Sequence, residues 1–305
     1  MDASRPDAVA AGGAAPARHP TSELTKRITF AVVAIPLLIG SVWIGDWLFA
    51  IVIAVGAALS SYEFYRLAIG AGSVPLWGHG VILSALVPLL VYARFLGLWT
   101  PPVSIVMLVV LELLTVALWV RGSSGRPLEV VGITMLGVFY TGGMLSFAYA
   151  LRYHEYAVGA RAGTALVAFP LVLTWCTDSA GFVFGRLLGK RKLMPAVSPG
   201  KTVAGAVAGL IVGILVSVLY GRYALPPLAR LALPLWSAVA FGVVVSTAAQ
   251  VGDLVESMLK REAGVKDSSK LIPGHGGLLD RLDSLLFAIP VGFVLLGWLL
   301  IPAPR

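Results

Sequence analysis

The sequence predicts an all-α fold: a polytopic integral membrane helical bundle of about nine transmembrane helices. Three observations predict it. The chain of 305 residues is 58% hydrophobic and only 12% charged, with a mean hydropathy of +0.90. Its apolar runs recur at about the 20 residues a helix needs to cross a bilayer. Its basic residues gather in alternate connections, the pattern of cytoplasmic loops.

The elements follow in chain order. Residues 1–22, rich in Ala, Pro and Gly and without a hydrophobic period, are expected to form a disordered cytoplasmic tail. They lack the apolar core of a signal peptide. Lys26 and Arg27 then introduce a first span over residues 28–44. Gly45 and Asp46 leave room only for an antiparallel neighbour, expected over 47–67. Spans over 76–96 and 102–120 follow, with Trp77 and Trp99 at their ends, where amphipathic rings settle. The fifth span is expected over 128–150, and four more over 163–184, 203–220, 233–251 and 282–301. Residues 23–160 are thus N-terminal transmembrane helices. Residues 161–305 form a C-terminal half with two polar loops, expected to carry the catalysis.

Charge sets the orientation. With the N-terminus inside, the inner connections receive Lys26, Arg27, Arg66, Arg121 and Arg126. They also receive Arg186, Lys190, Arg191, Lys192 and Lys201, then Lys260, Arg261, Lys266, Lys270 and Arg281. The outer connections hold Arg152, Arg161, Arg222 and Arg230. The net charge of +8 suits anionic phosphate partners and cytoplasmic loops. No basic run interleaved with aromatics points to nucleic acid. The single cysteine, Cys176, excludes an intrachain disulfide and lies in an apolar run as a packing residue.

The densest polar stretch is 257–283, between two apolar runs. Just before and into it, Asp253, Glu256, Ser257 and Lys260 share one helical face. A solvated helix end with a Glu256–Lys260 pair is the plain reading of that face; a site role for Asp253 stands beside it. Downstream, Asp280 and Asp283 are one turn apart at a helix start, where acids also serve as favourable dipole partners. Pro273-Gly274-His275-Gly276-Gly277 precedes them and offers backbone N–H groups to an anion. Paired carboxylates, a phosphate nest and many cations describe a metal–polyphosphate site, and hard oxygen ligands suit Mg²⁺. In the other loop, Asp178 and Arg186 are charges at a span that must be used or paired. Gly181, Gly185 and Gly189, spaced by four, read as helix packing. Ser198-Pro199-Gly200-Lys201-Thr202 is similar to a phosphate-binding turn without the full P-loop spacing. Glu63, three residues before Arg66, reads as half of a local pair.

The stretch 257–283 resembles the signature of the phosphatidate cytidylyltransferases, or CDP-diacylglycerol synthases. Ser257, Leu259, Lys260, Arg261, Lys266, Asp267, Ser269, Ile272, Pro273, His275, Gly276, Gly277, Leu278, Asp280, Arg281, Leu282 and Asp283 all fit it. The resemblance extends to Asp178, Gly185, Arg186, Ser198, Pro199, Lys201, Thr202 and Gly205. It departs at Gly200, where Lys is usual, at Ala204, where Glu is usual, and at Phe182, where Tyr is common. The N-terminal half matches only as hydrophobic spans.

The resemblance implies an enzyme of phospholipid biosynthesis: CTP and phosphatidic acid give CDP-diacylglycerol and pyrophosphate, with Mg²⁺ or alternatively Mn²⁺, and room for a second cation. It implies that Asp253, Asp280 and Asp283 hold the metal. Lys260, Arg261, Lys266, Lys201 and Arg281 are expected to neutralise phosphates. His275, Gly276 and Gly277 are expected to cradle one, Ser198 and Thr202 to donate hydrogen bonds, and Asp178 and Arg186 to line the cleft. The expected partners are CTP, phosphatidic acid and the bilayer, with a homo-oligomer as an option and no nucleic acid. The expected location is a bacterial inner membrane, with the N-terminus and both active-site loops cytoplasmic. The rival readings are a transporter, which calls for mid-bilayer charges and paired halves, a CTP-dependent polyprenol kinase, and a non-catalytic scaffold.

Overall fold

The structure is a computed structural model that describes residues 20–272 and 276–303. Its helices are α1 (Pro20–Ile44), α2 (Asp46–Gly70), α3 (Trp77–Phe95) and α4 (Ser104–Arg121). The next pass is compound: α5 (Pro127–Gly137) runs through a π turn, Val138–Gly143, into α6 (Met144–Arg152). Then come α7 (Gly159–Leu188), a hairpin of β1 (Lys192–Met194) and β2 (Ser198–Thr202), and α8 (Val203–Leu219). A second π turn, Tyr220–Ala224, leads to α9 (Leu225–Ala229) and β3 (Leu231–Ala232). The chain ends with α10 (Leu235–Glu262), α11 (Leu279–Leu299) and β4 (Ile301–Pro302).

Among the described residues, eight helical passes are long and apolar enough to cross a membrane. The ninth expected span is α1, whose described apolar part is Val32–Ile44. The protein is therefore an all-α integral membrane bundle. Residues 1–19 of the expected tail lie outside the described residues, and 20–22 already belong to α1.

The connections sort into two ends. At one end Arg152 donates from Nε to the Val42 carbonyl at 2.6 Å, and the Asp46 amide donates to the Tyr153 hydroxyl at 2.5 Å. These bonds tie the α1–α2 link to the α6–α7 link. β3 pairs with β4 at the same end, so the chain's last residues meet the α9–α10 link. At the opposite, polar end lie the β1–β2 hairpin and the α10–α11 connection. Gly70 at the end of α2 comes against Ala263 there.

One buried core runs from Val42 to Leu300 and draws on every pass except α3 and α4, so the boundary expected near residue 160 divides the sequence but not the packing. Phe169 is stacked between Tyr220 (ring centroids 4.5 Å apart) and Phe241 (4.4 Å). Lipid gives helices little hydrophobic reason to associate, so close approach at small residues carries the contact. Gly205, Gly209 and Gly213 on α8 supply it. A Cβ on Gly209 would stand 2.9 Å from the Thr177 carbonyl, and one on Gly205 would stand 3.0 Å from the Gly185 Cα. The packing role expected for Gly181, Gly185 and Gly189 is what their neighbours show.

Candidate active site

A cavity of about 550 Å³ opens between α7, α8, α10 and the hairpin at the polar end. Among its lining residues are Asp178, Arg186, Lys192, Ser198, Lys201 and Asp253. Its small residues are as important as its charges. Gly181, Gly185, Gly200 and Gly205 line it, and a Cβ on Gly200 would meet nothing within 4 Å.

The hairpin forms the cavity's wall. Lys192 pairs with Thr202 and Met194 with Ser198, with a register shift between them. Such an irregularity twists a strand pair and re-aims its side chains. Thr202 is buried and ends the hairpin by capping α8: its Oγ1 accepts from the Gly205 amide at 3.1 Å. The hydroxyl is thus a helix cap, and it donates in turn to the Gly185 carbonyl at 3.5 Å. Arg261 fixes α10 to the hairpin, donating from Nε to the Val197 carbonyl at 3.3 Å and from a terminal nitrogen to the Val265 carbonyl at 2.9 Å.

Two carboxylates line the cavity, and a third stands beside them outside its lining, so that three helices contribute. Asp178 on α7, Asp253 on α10 and Asp283 on α11 lie within Coulombic range of one another. Lys201 answers them with its Nζ 2.7 Å from Asp253 Oδ2. Asp253 Oδ1 also takes the Ser257 hydroxyl at 3.4 Å, and Asp283 Oδ1 takes the Ser284 amide at 2.6 Å. Among the described residues no three acids or imidazoles are gathered closely enough to cage an ion alone. A hydrated Mg²⁺ asks for less, since it keeps waters and takes oxygens from substrate phosphates. Across the cavity, Arg186 and Lys192 have no ion-pair partner among the described residues.

Beside the cavity stands a second polar cluster that the sequence reading had merged with it. Lys260 Nζ lies 2.6 Å from Glu256 Oε2 and 2.7 Å from Asp280 Oδ1. The Glu256–Lys260 pair expected from the spacing is present, but buried: their side chains are 0% and 12% exposed. Asp280 Oδ2 accepts from the Ser268 amide (2.9 Å), the Ser268 hydroxyl (3.0 Å) and the Gly277 amide (2.8 Å). Both Asp280 oxygens are therefore engaged in folding the α10–α11 connection. Of the expected set Asp253, Asp280 and Asp283, Asp253 lines the cavity, Asp283 stands in Coulombic range of Asp253 and of Asp178, and Asp280 lies in the neighbouring cluster. The cluster departs from the expected phosphate cradle, because the Gly277 N–H faces Asp280. Gly276 adopts φ of +85°, a left-handed value that a side chain resists. His275 lies outside the described residues.

Of the remaining expected residues, Ser198 lines the cavity. Lys266 and Arg281 are exposed at the polar end, outside its lining. Sequence reasoning missed Lys192, Gln250 and Glu63. Lys192 was counted only as loop charge; alternation along a short strand beside Ser198 was the signal. Gln250 donates to the Ala206 carbonyl at 3.3 Å and ties α10 to α8 at the cavity wall. Glu63 is fully buried and bonds to the α10–α11 connection instead of Arg66.

Comparison with known proteins places this arrangement. A phosphatidate cytidylyltransferase of Bacillus subtilis is 31% identical over 277 residues, covering 90% of this chain and 98% of that protein. One of Staphylococcus epidermidis is 30% identical over 217 residues, covering 71% of this chain and 78% of the other. One of Staphylococcus aureus is 28% identical over 222 residues, with the same two shares. The model of the cytidylyltransferase family matches residues 25–299, a stretch that takes in the eight membrane-spanning passes, the cavity and the cluster beside it, and the chain belongs to that family.

Proposed function

We propose that the chain transfers the cytidylyl group of CTP to phosphatidic acid, giving CDP-diacylglycerol and pyrophosphate. An oxygen of the lipid phosphate forms a bond to the α-phosphorus of CTP. The bond from that phosphorus to the β-phosphate oxygen breaks, and pyrophosphate leaves. The lipid phosphate is already an anion near neutral pH, so no general base is required. The difficulty is to bring two polyanions together, and positioning with charge neutralisation supplies the catalysis.

One observation carries this reading: Asp178 and Asp253, with Asp283 in Coulombic range of both, share a cavity with Arg186 and Lys192, which have no ion-pair partner among the described residues. Arg186 and Lys192 neutralise phosphate oxygens in that cavity. Lys201 joins them while holding Asp253 in place. Asp178, Asp253 and Asp283 hold a hydrated Mg²⁺, or Mn²⁺ in its stead. That cation supplies charge neutralisation on the triphosphate. Lys266 and Arg281, exposed at the same end, draw in the anionic substrates. The charge asymmetry of the loops supports a bacterial inner membrane with the N-terminus and the cavity on the cytoplasmic side, where CTP is held.

A turnover assay in detergent micelles tests the reading, with labelled CTP and phosphatidic acid, with and without Mg²⁺. The expected result is metal-dependent pyrophosphate release with the label in the lipid phase. CDP release with a polyprenol, and no product with phosphatidic acid, would move the chain to γ-phosphate transfer.

A further inference from the structure

Glu63 accepts four hydrogen bonds outside the cavity, and it belongs to α2, in the half with no part of the cavity. Its side chain is fully buried. Oε1 accepts from the Ser269 hydroxyl at 2.6 Å and the Leu278 amide at 3.0 Å. Oε2 accepts from the Ser268 hydroxyl at 3.0 Å and the Leu279 amide at 2.7 Å. The Leu278 and Leu279 amides are donors at the start of α11 that have no partner within the helix. No side chain of α11's own N-cap residue supplies one. Glu63 therefore caps α11 from another helix, with its carboxyl oxygens at the positive end of the dipole. The Ser268 hydroxyl lies 3.0 Å from both Glu63 Oε2 and Asp280 Oδ2, so its one proton is shared between the two carboxyl groups, while the Ser268 amide donates to Asp280. The fit is tight: a Cβ on Gly277 would overlap both the Ser268 hydroxyl and the Glu63 carboxylate.

We propose that Glu63 is a positioning residue for catalysis: it latches the α10–α11 connection onto α2 and fixes the first turn of α11. Asp283 stands one turn further along α11, so the latch sets its place against Asp253 and Asp178. The inference rests on the reading of that acidic trio as the cation-holding centre. It also gives α2 a task in the reaction that its sequence as a plain span does not suggest.

The chemistry of the latch makes Glu63→Gln informative. Each oxygen accepts one hydroxyl and one backbone N–H. A hydroxyl can turn away from an amide NH₂, but a backbone N–H cannot. Glutamine therefore sets one α11 amide against another donor in either orientation. Two readouts apply, one of which needs no activity. Hydrogen exchange in micelles is expected to quicken about tenfold or more at the Leu278 and Leu279 amides, with α4 and α5 unchanged. Turnover of CTP with phosphatidic acid, per folded protein by size exclusion, is expected to lose about tenfold or more in kcat. KM for CTP should move less than about twofold, since no cavity cation is touched. Glu63→Asp, which keeps four acceptor sites, should recover part of the kcat.

Unchanged exchange at Leu278 and Leu279 would overturn the latch. Faster exchange with wild-type kcat would overturn the positioning role. If Glu63→Gln does not fold, Ser269→Ala decides, since it removes one hydroxyl and leaves both amide bonds. A kcat lowered about two- to fivefold supports the proposal, and wild-type exchange and kcat overturn it. Should the wild-type chain make no CDP-diacylglycerol, the functional reading fails on that assay alone, while the exchange arm still decides the latch.

Discussion

Asp280 and Asp283 sit one turn apart on α11, yet they face different surroundings. Spacing showed that they share a side; it could not show that Ser268 and Gly277 fold back onto the first of them. Asp280→Asn replaces one acceptor oxygen with a donor among Lys260, Ser268 and Gly277. Breaking a buried pair in this way costs about 3–5 kcal/mol. The expected outcome is a turnover loss of about a hundredfold or more, with the protein still inserted and monodisperse, measured by kcat and size exclusion. Lys201 lies in a more open place, about a quarter exposed against Asp253. Lys201→Ala removes a phosphate partner and leaves Asp253 unanswered. It is expected to raise KM for CTP about tenfold and to lower kcat as well, read from initial rates; unchanged values would remove Lys201 from the site. Glu63 was hidden for a related reason. Its partners lie over 200 positions away in the chain, while Arg66 lay within a turn. The cost of an acid inside an apolar span was the available signal.

The helices themselves were legible, because lipid leaves the backbone few alternatives. Eight of the nine expected apolar runs became helices long enough to cross a membrane among the described residues, the first is described as apolar over Val32–Ile44, and the glycines spaced by four became contacts. What hydropathy could not mark were the π turns at Val138–Gly143 and Tyr220–Ala224, or the hairpin between α7 and α8. Those depend on packing and on a short register that composition does not encode. The crossing of α10 and α11 is where an element decides chemistry. Gly252 precedes Asp253, and a Cβ there would stand 2.6 Å from the Asp283 carbonyl and 2.9 Å from the Phe287 ring. Gly252→Ala must push α11 away from α10 and separate Asp253 from Asp283. Overpacking of this kind costs about 1–3 kcal/mol. Turnover is expected to fall about tenfold or more while the melting temperature in detergent drops by only a few degrees. A variant with wild-type turnover would show that the Asp253–Asp283 spacing is not set at this crossing.

At the scale of the whole molecule, charge and packing agree without sharing a cause. By their loop charges the β1–β2 hairpin and the α10–α11 connection are expected on one side of the membrane. The packing places them at one end of the bundle, held together by Arg261 bonding to Val197. At the other end, Arg152 holds the carbonyls of Val42 and Trp43, and Ala303 donates to the Arg230 carbonyl. This agreement argues for the two passes between those connections, α8 with α9 and then α10, since missing either would send the connections to opposite ends. The sidedness then makes a direct prediction. Cys176 is the only cysteine, so a Cys176→Ser background accepts single reporter cysteines. Lys270→Cys places a thiol at the polar end and Tyr156→Cys one in the exposed link after α6. In intact bacterial cells a membrane-impermeant maleimide is expected to label Tyr156→Cys and to spare Lys270→Cys until the membrane is opened. The reverse pattern would turn the bundle over and place the cavity away from CTP. Labelling of both in intact cells would mean that the two ends do not lie on opposite sides, and the passes between them, α7 to α10, would have to be redrawn.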